Sequence, residues 1–193
     1  MTQVADAAME LTHEHDEIDK LALRIATIGR GPERTALVRE VGVRFRVHVR
    51  AEERYLYPAV RRLLTDGIDL ACLQTRRNRA LTNTIESLEQ GVEEGDGLDV
   101  LVGHLVVALQ DHVERQDCVL LPALVAACPA EEYELLGREL HEGIRAARET
   151  VGLWESWEAP EATDNRVPAS ARGRGFRAML RRCFGPGRRA ADY

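Results

Sequence analysis

The feature that most restricts how this chain can fold is a segment that occurs twice. HVRAEERYLYPAV at residues 48–60 returns as HVERQDCVLLPAL at residues 112–124. His48 matches His112, Val49 matches Val113, Leu56 matches Leu120, Pro58 matches Pro122 and Ala59 matches Ala123, all at one constant offset. Each copy lies inside a longer run with apolar residues at helical spacing, so the duplication suggests two helix pairs facing one another across a bundle.

Five helical stretches follow from the apolar spacing. The first carries Leu11, Ile18, Leu21, Ile25 and Ile28 and ends at Gly29-Arg30-Gly31-Pro32. The second carries Leu37, Val41, Phe45, Leu56, Val60 and Leu63 and stops near Asp66-Gly67. The third, with Leu70, Leu81, Ile85, Leu88 and Val92, closes at Gly95-Asp96-Gly97; the fourth, from Leu98 through Leu101, Leu105, Leu109, Leu120 and Leu124, runs to Cys128-Pro129. The fifth carries Tyr133, Leu136, Leu140, Ile144 and Val151. Hydrophobic residues are 45% of the chain but aromatics only 5%, so the core must be built mainly from Leu, Val, Ile and Ala. The expected fold is all-α, an antiparallel up-down four-helix bundle with an extra C-terminal helix and a basic tail.

The composition changes near Glu158, which divides the chain into a helical domain over 1–157 and a linker with a basic tail over 158–193. The tail has eight arginines against four acids; with a whole-chain charge of −6, it is about +4 and the domain about −10. Phe176, Met179, Leu180 and Cys183 fall on one helical stripe in the tail with arginines around it. That pattern suits docking on the acidic bundle, or contact with an anionic surface or partner protein. No stretch is apolar enough to span a bilayer, and the acidic N-terminus has no signal-peptide pattern. Cys72, Cys118, Cys128 and Cys183 form no C-x-x-C pair, so free thiols and a cytoplasmic location are expected.

His48 and Glu52 stand at i and i+4 and share one helix face with Val41, Phe45 and Leu56. An imidazole and a carboxylate on an apolar stripe are costly unless paired or coordinated. His15 sits similarly between Leu11 and Ile18. Imidazole suits iron, and a bundle that aims His and Glu inward from several helices can cradle a two-metal carboxylate site. His13 points away from the His15 stripe; His104, two turns before His112, could support the site but is expected at the surface, and His141 is assigned no role. No Walker motif, nucleophile elbow or zinc-type cysteine spacing occurs. GRGFRA at 173–178 lacks the βαβ setting of a nucleotide fingerprint.

LTHEHDEID followed by HVRAEERYLYP resembles the first half of the hemerythrin HHE cation-binding pattern, and the duplication extends the likeness over residues 10–150. The resemblance implies a non-haem di-iron centre. Carried over by position, His15, His48 and Glu52 match the first half, and His112 matches the second. Two positions depart from the pattern: Asn78 stands where the third helix would supply a histidine, and Gln116 where the second glutamate would be. Asp117, five residues after His112, matches the carboxylate spacing of classical hemerythrins. Iron is therefore the expected cofactor, as one or two ions, with His15, His48, Glu52, His112 and Asp117 as metal candidates.

The implied function is non-haem iron binding, with O2, NO or peroxide as ligand or with iron or redox sensing. Nothing beyond the ligands looks like acid/base machinery, so enzymatic turnover is left open. The alternative is a metal-poor HHE-fold interaction or regulatory module without catalytic activity.

Overall fold

The computed structural model describes residues 7–91 and 96–151, and the expected linker and tail at 158–193 lie outside them. The described residues form five helices and no strand. The first is Ala7–Thr27. The second starts at Pro32–Ala51, passes through one wide π-helical turn at Glu52–Leu56 and continues as Tyr57–Leu63. The third is Gly67–Glu89. The fourth repeats the design of the second, as Asp96–Arg115, a π-turn at Gln116–Leu120, and Leu121–Ala127. The fifth is Ala130–Val151.

Prolines explain several of these boundaries. Pro32 opens the second helix, where a missing N–H costs nothing. Gly31 before it has φ 153°, a conformation that favours glycine. Pro58 and Pro122 act inside helices. Each lacks the N–H that would bond the carbonyl four residues back, and its ring crowds that carbonyl. The chain widens the preceding turn instead: the Tyr57 N–H reaches the Glu52 carbonyl, and the Leu121 N–H reaches the Gln116 carbonyl. Both are i to i+5 bonds, the mark of a π-turn. The duplicated sequence therefore builds the same helix irregularity twice.

The first helix packs on the second and fourth, and the third packs on the same two. The fifth lies against the first and second. Helices two and three approach closely at Gly42, where a Cβ would stand 2.7 Å from Ile85 Cγ2. Gly67 allows the third helix to start hard against the end of the second; a Cβ there would lie 2.0 Å from the Val60 carbonyl oxygen.

Two apolar clusters make up the core. One contains Leu11, Leu56, Tyr57, Ala71, Leu120, Leu124, Leu136, Leu140 and Ile144. The other contains Ile18, Ile25, Val41, Phe45, Leu81, Ile85, Leu105 and Leu109. Between them, in sequence, every one of the first four helices carries a short buried polar segment: Glu14 and His15, His48 and Glu52, Gln74 and Asn78, and His112 with Gln116 and Asp117. The first and third helices pass from the first cluster to the second, and the second and fourth pass in reverse. Leu136, Leu140 and Ile144 of the fifth helix belong to the first cluster.

Cys72 and Cys128 are free thiols. Cys118 is half-buried, and Cys183 lies outside the described residues.

Candidate metal centre

The buried polar segments supply one group of side chains. His15, His48, Glu52 and His112 each place a ligand atom within 4.8 Å of all the others. His15, His48 and Glu52 are fully buried and His112 is 5% exposed. His13, His104 and His141, by contrast, are exposed. Helical spacing explains the selection. His48 and Glu52 are one turn apart on the stripe that also buries Phe45 and Leu56, and His112 repeats the position of His48 on the fourth helix.

His48 is the hub. Its Nε2 lies 3.3 Å from His15 Nε2, 3.1 Å from His112 Nε2 and 3.2 Å from Glu52 Oε1. His112 Nε2 is 3.8 Å from the same Glu52 oxygen. Two adjacent ligands held ~2.0–2.2 Å from one ion lie roughly 3–3.5 Å apart. The spacings around His48 fit that requirement, so the cluster could hold a metal ion.

The buried neighbours also act on the protonation of these groups. His15 Nδ1 is 2.7 Å from Asp117 Oδ1. A carboxylate accepts only, so Nδ1 carries a proton, and Nε2 is the His15 nitrogen that faces the cluster. Burial by itself would lower the His15 pKa, but the hydrogen bond and charge of Asp117, with a smaller contribution from Glu52, raise it above its ordinary value. Burial pushes the His112 imidazole down to about 3, which keeps it neutral and able to coordinate. Burial would raise Glu52, but the imidazoles of His48, His112 and His15 outweigh it and hold the carboxyl at about 2. Three imidazole nitrogens and one anionic carboxylate oxygen thus face each other in a buried layer, where a cation is a natural counterpart.

Glu52 is also held by three hydrogen-bond donors. Tyr57 donates its hydroxyl to Glu52 Oε2 at 2.9 Å, and Asn78 Nδ2 donates to the same oxygen at 2.7 Å. Asn78 Nδ2 also reaches the Tyr57 hydroxyl at 2.8 Å. Gln116 Nε2 donates to Glu52 Oε1. Burial, followed by the Glu52 charge, raises the Tyr57 pKa, so its hydroxyl stays a donor.

Asp117 does not join the converging group. It takes the remote nitrogen of His15 and so acts on that ring's orientation. Its counterpart in the first repeat, Glu53, is exposed. His48 and His112 have no hydrogen-bond partner at Nδ1 among the described residues. Tyr57 is the residue that sequence reasoning missed. The signal was present: the repeat puts a hydroxyl at 57 where the second copy has Leu121.

No family model, curated protein or solved structure matches the chain. No helix among the described residues is long and apolar enough to cross a membrane.

Proposed function

We propose that this protein is a hemerythrin-like non-haem iron protein. The observation that carries the reading is the convergence of three imidazole nitrogens and one carboxylate oxygen in a buried layer, with His48 Nε2 within 3.3 Å of its three neighbours. Two further facts support the family likeness. The first four helices each cross the polar layer between the same two apolar clusters, in alternating sequence order, as an antiparallel up-down four-helix bundle requires. The repeat supplies its two His-bearing segments on the second and fourth helices, each one turn before a π-turn.

His15, His48, His112 and Glu52 would hold the metal, and Asp117 would fix the His15 ring. Iron bound there would supply a redox-active centre with coordination positions for a small ligand such as O2, NO or peroxide. The protein's own part is to keep His112 neutral, keep Glu52 ionised and hold both with His15 and His48 in a buried layer. Such a site suits reversible binding or redox sensing.

The test is to load metal-free protein with Fe(II) under anaerobic conditions and add NO, then O2, while recording visible and EPR spectra. The reading expects a new NO-dependent spectrum that the His48→Ala variant lacks. Spectra identical with and without iron would contradict it.

A further inference from the structure

The iron reading, taken from the family likeness, implies two metals, and the residues here fit one. A two-metal centre places its ions ~3.5–4 Å apart and needs anionic or lone-pair ligands on both. In this chain the residues at the corresponding second-half positions, Asn78 and Gln116, are amides. Their orientation is decided by chemistry: Glu52 can only accept, so each amide turns its NH2 toward it. Glu52 therefore already accepts from Asn78 at Oε2 and from Gln116 at Oε1, the oxygens a bridging carboxylate would give to a second cation. Tyr57 adds a third donor, at Oε2.

The same contacts have a positive consequence. Glu52 Oε2 accepts from both Tyr57 and Asn78, and Oε1 accepts from Gln116 while facing His48 and His112. The carboxylate is fixed in rotation, with one oxygen committed to the imidazole cluster. Asn78 Nδ2 is also bonded to the Tyr57 hydroxyl, so the clamp is braced across the second and third helices.

We infer that this chain binds a single cation, and that Tyr57, Asn78 and Gln116 replace a second metal as a neutral hydrogen-bond clamp that positions Glu52. The inference rests on the metal-binding reading above but makes a separate claim about number. A one-metal centre has no bridging position between ions, so a small ligand would bind to a single ion.

The test uses full-length, metal-free protein and Co(II), whose visible absorption reports its ligands. Titration of the wild type should give one equivalence point at one Co(II) per chain. Two equivalents in the cluster would overturn the inference and leave metal binding intact; no cobalt absorption would overturn both. Tyr57→Phe and Asn78→Ala should keep the single equivalence point, weaken binding ~10–100-fold and shift the absorption bands. Asn78→Gln should recover part of the affinity. Unchanged spectra and affinity in both variants would remove the positioning role. Loss of all cobalt from Asn78→Ala, with helicity retained, would make Asn78 a ligand and overturn the clamp.

Discussion

His15 and Asp117 are 102 residues apart in the chain and share a 2.7 Å hydrogen bond at the edge of the buried imidazole cluster. The bond decides which His15 nitrogen carries the proton, and so which one can coordinate. Asp117→Ala should weaken metal binding by ~10–100-fold, because the ring loses both orientation and basicity. It should also destabilise the metal-free fold by about 1–3 kcal/mol, since a buried N–H is left unpaired. Metal titration and urea unfolding of the same variant measure the two effects; a variant that binds and unfolds like the wild type contradicts the assignment.

Acid should destabilise the metal-free protein in two stages. The His112 pKa falls from 6.5 to about 3 on folding. The unfolded chain therefore takes up a proton that the native state refuses, and stability declines as pH drops below about 6.5, by at most about 1.4 kcal/mol per pH unit for one proton. Glu52, lowered from 4.5 to about 2, adds a second decline as pH falls from 4.5 toward 2. His15 is raised instead, so its contribution is complete below 6.5 and is lost as pH rises through its folded value. Denaturant melts from pH 8 to pH 4 should show the acid decline, and His112→Gln should flatten it between pH 6.5 and 4.5. An equal slope in both proteins would contradict the account.

The π-turns make a prediction about prolines. Pro58→Ala restores an N–H that can bond the Arg54 carbonyl, allowing the wide turn at Glu52–Leu56 to tighten. Glu52 would then rotate relative to His48. Metal affinity should fall on the order of 10-fold with helicity unchanged, as for loss of a supporting contact. Circular dichroism with metal titration checks this; undiminished affinity would show that the turn does not set the Glu52 direction.

Gly67→Ala tests the packing at the junction of the second and third helices. Its Cβ would meet the Val60 carbonyl oxygen at 2.0 Å, and backbone cannot swing aside as a side chain would. A loss of about 1–3 kcal/mol is expected, a drop of several degrees in Tm. A Tm at or above that of the wild type would mean the helix ends can separate.

How much of this was legible from residues alone depends on how local each feature is. The five helices could be read because Leu11, Ile18 and Ile25, or Leu136, Leu140 and Ile144, repeat at the helical period within one segment. His15, His48 and Glu52 stood out as polar groups on apolar stripes, and His112 through its match to His48. The role of Asp117 was not legible, because its partner lies on the first helix. Tyr57 was read over because an aromatic residue beside Leu56 looks like ordinary core, and only its hydroxyl's contact with Glu52 separates it. The π-turns escaped because a missing proline N–H alters hydrogen bonding without changing the apolar pattern.

The most direct test of the central claim is a crystal structure of the iron-loaded protein with data collected on both sides of the iron absorption edge. The account predicts one anomalous peak per chain, within coordination distance of the Nε2 atoms of His15, His48 and His112 and of Glu52 Oε1. A well-ordered cluster with no peak, in crystals grown with Fe(II), would contradict it.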